Sequence, residues 1–151
     1  ACLLRDEVYC ELICDGIHVS KPAINLIRKC KPQDKLTLVT DAMRAKHMPD
    51  GLWELGGQPV VVKNGEARLT DGTLAGSVLG MNKAVKNIMA FTDASLEEAV
   101  QYATLNPATN LGVDDRLGSI KVGKDASFAI VDENFDVVLT VKQGTVIYEK
   151  E

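Results

Sequence analysis

No stretch of this 151-residue chain approaches the roughly 18 consecutive apolar residues that a membrane-spanning helix requires. A secretory signal is not expected either, because Ala1-Cys2-Leu3-Leu4 is followed at once by Arg5, Asp6 and Glu7. Basic excess is lacking: 17 Lys and Arg stand against 21 Asp and Glu, a net charge of −4. That balance argues against a generic nucleic-acid binder, although local donors could still hold an anionic ligand. The four cysteines, at 2, 10, 14 and 30, contain no CxxC pair, and the chain is too large to need stapling. Reduced thiols in a cytoplasmic protein are therefore expected. With two histidines and no HxH or HExxH, no complete metal site is expected within the chain. GxGxxG and Walker motifs are missing, as is any internal repeat.

What remains is the composition of a globular protein, 46% hydrophobic and 25% charged, with enough apolar material to offset chain entropy. Residues 8–14 read as a buried strand continuing towards Val19, with Cys10 and Cys14 on one face. Ser20 is a plausible N-cap, Pro22 suits a first helical turn, and Ile24, Leu26 and Ile27 supply an apolar stripe. A second buried strand, 36–40, ends on Asp41. Strand, helix and strand within about 35 residues form a βαβ unit with parallel strands. Between 43 and 76 glycines punctuate short segments, and Asn64-Gly65 between two β-rich runs signals a hairpin within an insertion at 50–70. Residues 77–91 have helical spacing. Ser95-Leu96-Glu97-Glu98 opens a further helix with a capping box, running to about 105 before Pro107. Four short strands are expected at 117–121, 126–131, 137–141 and 145–149.

His18 follows the first strand and Asp41 ends the second. In parallel α/β architectures functional side chains project from such carboxyl ends, so the two could converge on one cleft; a satisfied loop histidine and a capping aspartate are the alternatives. The loop Asp71-Gly72-Thr73-Leu74-Ala75-Gly76-Ser77 could present backbone amides to an anion or a carbonyl, or serve as an ordinary helix entry. Arg44, Lys46 and His47 could assist an anionic ligand or be solvated. Trp53 suits hairpin packing, and Met43, Met48, Met81 and Met89 suit loop and core filling.

Asp15-Gly16-Ile17-His18-Val19, Val39-Thr40-Asp41-Ala42-Met43, the 71–77 loop and Leu105-Asn106-Pro107-Ala108 occur in that order. They are followed by Gly-x-Ile-x-x-Gly-Lys-x-Ala at 118–126. This series resembles the C-terminal part of the N-acetylglucosamine-6-phosphate deacetylases, in the amidohydrolase superfamily. The 118–126 pattern is common across the superfamily, whereas the Asp-Gly-Ile-His-Val and Asp-Gly-Thr-Leu-Ala-Gly-Ser pair is more specific to sugar-phosphate deacetylases.

The resemblance implies a (β/α)8 TIM barrel, of which residues 1–113 would supply about the last three βα units, with 114–151 giving strands of a small β-sandwich. It implies hydrolysis of the N-acetyl amide of a phosphorylated amino sugar. Asp41 matches the catalytic aspartate, His18 a substrate-contacting histidine, and Leu74, Ala75 and Gly76 the loop along the acetyl group. A divalent metal, Zn or Fe, would be bound by a Glu and two His on earlier strands that this chain does not contain. The chain is accordingly expected to be a C-terminal fragment, inactive alone and self-associating, whose parent protein is a homodimer. The alternatives are an N-acetylgalactosamine-6-phosphate deacetylase, or a non-catalytic binding module should the chain be complete.

Overall fold

Leu12 on one strand with Cys14 just past its end, and Leu36 and Leu38 on the next strand, form the centre of the main core in the computed structural model, which describes residues 2–151. β1 (Cys10–Ile13) and β2 (Leu36–Val39) pair in parallel, Cys10 opposite Leu36 and Ile13 opposite Val39. α1 (Lys21–Cys30) makes the crossover that parallel neighbours need, with Pro22 in its first turn. The expected βαβ unit is present. β1, however, stops short of the expected run towards Val19. The Asp15 carboxylate accepts the amides of Ile17 and His18, and this local turn competes with strand extension. Ser20 occupies the N-cap position, but its hydroxyl makes no capping bond.

α2 (Met81–Phe91), α3 (Leu96–Ala103) and α4 (Leu105–Asn110) follow an inserted β unit. α2 begins later than the helical spacing from 77 suggests, because Ser77 forms a parallel bridge with Ala42 and the chain stays irregular to Gly80. Pro107 does not terminate α3 as expected. The break falls at Thr104, and Pro107 lies early in α4, where its missing amide is tolerated. Ala84 and Ile88 of α2 and Ala99 and Tyr102 of α3 join Ile24 of α1 in the main core. Buried Asn106 donates to the carbonyls of Gln33 and Leu36 and accepts from Gln101, fixing α4 to the start of β2.

The capping box at α3 is complete: Ser95 Oγ accepts the Glu98 amide, and Glu98 accepts the Ser95 amide. The Ser95 amide, helped by the Arg28 guanidinium of α1, outweighs burial and holds the Glu98 carboxyl below its usual range. A depressed carboxylate stabilises the fold above its unfolded pKa of about 4.3, and that contribution is lost as pH falls through the lower folded value. Ser95→Ala is expected to cost about 1 kcal/mol at neutral pH. The hydroxyl does not titrate and the amide of residue 95 still meets Glu98 in the variant, so this deficit should persist on acidification while the Glu98 contribution is lost from both proteins, which thermal unfolding at neutral and acid pH would measure.

β3 (Gly51–Leu55), β4 (Gln58–Lys63) and β5 (Glu66–Leu69) form an antiparallel meander, with the expected Asn64-Gly65 turn joining the last two strands. Met43, Ala45, Val60, Val62 and Ala67 make a second small core, against which Trp53 packs. At the C-terminus β6 (Phe128–Val131), β7 (Val137–Lys142) and β8 (Thr145–Glu149) form another antiparallel sheet. The strand expected at 117–121 does not form. Lys124 Nζ donates to the carbonyls of Asp114 and Leu117, curling this stretch against α4 instead of extending it. Ile130, Val146 and Ile147 remain exposed on the sheet. An apolar groove of about 790 Å³, bordered by Val100, Leu105, Leu111 and Phe128, runs between the last two helices and β6. Among the described residues, no helix is long and apolar enough to cross a membrane.

Candidate active site

The pairing of Ile13 with Val39 brings the loops after β1 and β2 side by side, and His18 and Asp41 lie on those loops. Asp41 is exposed and adopts a left-handed φ of +45°, a conformation aspartate tolerates better than most residues. Ser77 pins the backbone on both sides of it. The Ser77 amide donates to the Asp41 carbonyl at 2.8 Å, and the Ser77 carbonyl accepts the Met43 amide at 2.9 Å. The Ser77 hydroxyl donates to the Thr40 carbonyl and in turn accepts the Leu79 amide. Gly76 allows this approach, since a Cβ there would stand 3.2 Å from the Asp41 carbonyl oxygen. A solvent-facing carboxylate on a strained, tightly held backbone is an arrangement that points to function.

His18 is drawn the other way. Its Nδ1 lies 2.6 Å from Asp15 Oδ2 and its Nε2 lies 3.0 Å from the Ala75 carbonyl oxygen. Burial by itself would lower its pKa. The bonds to Asp15 and Ala75, with the charges of Asp15 and Asp41, outweigh that and hold the ring above its ordinary value. Asp41 is thus near enough for its charge to act on the imidazole, while Ala75 ties the 71–77 loop to it. Within that loop the amides of Thr73, Ala75 and Ser77 are bonded to Asp71, Ala67 and Asp41 respectively. Those of Leu74 and Gly76, which alternate with them, find no such partner among the described residues.

Of the neighbouring cations, Arg44 meets Glu54 at 4.0 Å in solvent, the geometry of a surface pair. Cys14 is fully buried, and burial pushes its thiol up to about 12, so it packs and does not act as a nucleophile. All four cysteines are free. Among the described residues no group of three or more His, Cys, Asp or Glu converges, so these side chains do not by themselves fit a metal. Asp15 and Ser77 were not singled out from the sequence. The Asp-x-x-His spacing, which suits a turn closed by the aspartate, was the available signal for the first.

A parallel strand pair thus places an aspartate and a histidine on adjacent loops, and the 71–77 loop is hydrogen-bonded to both of those residues. The chain belongs to the amidohydrolase family, whose model matches residues 4–147 and whose members are generally metal-dependent. Among its relatives are sugar-phosphate deacetylases. It is 43% identical over 146 residues to the N-acetylglucosamine-6-phosphate deacetylase of Bacillus subtilis, covering 97% of this chain and 37% of that one. It is 42% identical to a putative N-acetylgalactosamine-6-phosphate deacetylase of Escherichia coli K12, covering 94% and 84%. The crystal structure of the N-acetylglucosamine-6-phosphate deacetylase from Thermotoga maritima superposes with a TM-score of 0.91 at 42% identity, covering 98% of this chain and 40% of that one. The chain therefore spans little more than a third of the Bacillus relative's length.

Proposed function

We propose that this chain carries the catalytic base of an enzyme that hydrolyses N-acetylglucosamine 6-phosphate to glucosamine 6-phosphate and acetate. The observation that carries this reading is Asp41: an exposed carboxylate just beyond the end of β2, on a backbone that Ser77 clamps from both sides. In this reading residues 1–113 form about the last three βα units of a (β/α)8 barrel, with an insertion at 50–70. Residues 114–151 add strands to a small β-sandwich. The open apolar groove beside β6 supports further chain packing there, and the complete protein is read as a homodimer.

Asp41 takes a proton from the water that attacks the acetyl carbonyl carbon. As the carbon–nitrogen bond breaks, the same carboxyl returns that proton to the amine, which cannot leave as an anion. His18 donates a hydrogen bond from Nε2 to the oxygen on which negative charge builds. Leu74, Ala75 and Gly76 lie along the acetyl group, with the amides of Leu74 and Gly76 as further donors. In this reading the divalent metal of the family, Zn or Fe, would be held by residues outside those described, where it would supply a Lewis acid.

Acetate release from N-acetylglucosamine 6-phosphate by the complete protein tests the proposal; no release with metal supplied would reject it. A second reading, the N-acetylgalactosamine epimer, is supported by the 42% identity to the Escherichia coli relative, close to the 43% identity to the Bacillus enzyme. Comparing kcat/KM for the two epimers decides between them. Ser77→Ala should slow turnover about tenfold, since a small displacement of a positioned base is costly, and should lower stability by about 1 kcal/mol. Steady-state kinetics and a melting curve on one preparation would show both effects.

A further inference from the structure

Asp15 has no part in the chemistry above, yet its carboxylate is only 8% exposed and faces three donors. Its Oδ1 accepts the amides of Ile17 at 2.8 Å and His18 at 2.9 Å, while Oδ2 meets His18 Nδ1 at 2.6 Å. Across the ring, Nε2 meets the Ala75 carbonyl oxygen at 3.0 Å. Carboxylates and carbonyls only accept hydrogen bonds, so a ring bonded to both carries a proton on each nitrogen. We propose that Asp15 is a positioning residue: it keeps His18 as an imidazolium, with its Nε2–H aimed at the 74–76 loop and available to the substrate oxygen on which charge builds.

The use made of that charge rests on the deacetylase reading; its existence does not. The charged groups acting on the ring are Asp15 and Asp41, and both favour the cation. Asp15 also borders a cavity of about 460 Å³, whose other charged neighbours are Lys83, Lys86 and Asp136. Before substrate binds, the Ala75 carbonyl occupies the Nε2–H; a substrate oxygen would take its place. A cation there stabilises a developing oxyanion more than a neutral donor does, and the gain falls in the transition state.

Asp15→Asn separates orientation from charge. The amide oxygen can keep the two backbone donors, but its NH2 then faces Nδ1, which must accept, leaving the ring neutral with its proton on Nε2. Ring ¹⁵N NMR of the full chain, with His18→Gln to assign the signal, reads this directly. In the parent protein both ring nitrogens should stay protonated past the ordinary imidazole pKa of about 6.5. In Asp15→Asn the ring should be neutral at pH 7. In the complete, metal-loaded protein Asp15→Asn should lower kcat about 10- to 100-fold with KM within about threefold, and Asp15→Glu should recover part of the loss.

A parent His18 that is neutral at pH 7, or a titration unmoved by Asp15→Asn, overturns the assignment. Should Asp15→Asn fail to fold, the parent titration and Asp15→Glu decide it. Unmoved kcat together with a shifted titration refutes the catalytic use of the charge. A complete protein that never releases acetate, but whose His18 titration depends on Asp15, sinks the deacetylase reading and leaves the Asp15–His18 pair standing.

Discussion

Asp41→Asn is expected to lower the kcat for acetate release about 10³-fold, within the range for losing a general base, while KM changes only a few-fold. The substitution is close to isosteric, and asparagine adopts the left-handed conformation at position 41 as readily as aspartate does. The clamp at Ser77 uses backbone atoms of 41 and 43 and the carbonyl of 40, none of which the substitution alters. Among the described residues the exposed carboxylate makes no hydrogen bond or ion pair and acts on His18 only through its charge, so stability should stay within about 0.5 kcal/mol of the parent. What disappears is the capacity to accept the water's proton. Asp41→Ala would be a poorer probe, because a β-carbon without a local acceptor is less at ease at φ +45°. Acetate release measured beside a melting curve separates lost chemistry from lost fold.

Gly118→Ala is expected to destabilise the protein by about 3 kcal/mol or more, a large part of a typical domain's 5–15 kcal/mol. Gly118 has φ +81°, and a Cβ there would stand 2.7 Å from Ala108 Cβ, 3.0 Å from Leu105 Cα and 3.1 Å from the Thr104 oxygen. Backbone strain of roughly 1–2 kcal/mol and overpacking of roughly 1–3 kcal/mol act together. Two of those contacts are backbone atoms at the start of α4 and cannot rotate away. The same helix carries Asn106, whose bond to the Leu36 carbonyl anchors β2, so loosening it also loosens the strand that leads to Asp41. Gly123→Ala supplies the comparison: φ is +91°, but open space surrounds the added carbon, so only the backbone cost applies. Equal losses for the two variants in denaturant unfolding would show that the close approach at 118 does not matter.

Local signals in the sequence identified most of the architecture. Short apolar-rich runs separated by a helical stripe became β1, α1 and β2, and Asn64-Gly65 became the turn between β4 and β5. Ser95 and Glu98 form the capping box their spacing announced. Errors arose where a distant partner overrode local preference. Ser77 is drawn out of the expected helix by Ala42, some 35 residues earlier, and 117–121 is curled by Lys124 and by contact with α4. The site was readable as strand ends but not as bonds. His18 and Asp41 lie on adjacent loops as anticipated, whereas the engagement of both ring nitrogens depends on a carboxylate three residues back and a carbonyl 57 residues away. No periodicity encodes that convergence. The open amides anticipated across the 71–77 loop are fewer, because β5, Asp71 and Asp41 take up those of Gly72, Thr73, Ala75 and Ser77, leaving those of Leu74 and Gly76 on either side of Ala75.

A crystal structure of the complete Asp41→Asn protein soaked with N-acetylglucosamine 6-phosphate would test most directly whether position 41 acts on the acetyl amide. The sugar phosphate should be intact, with its acetyl group along Leu74, Ala75 and Gly76, His18 Nε2 turned from the Ala75 carbonyl to a substrate oxygen, and room for one water between the amide carbon and the side chain at 41. An acetyl group bound away from both loops, with that side chain facing only bulk solvent, would contradict the assignment of Asp41 as the base.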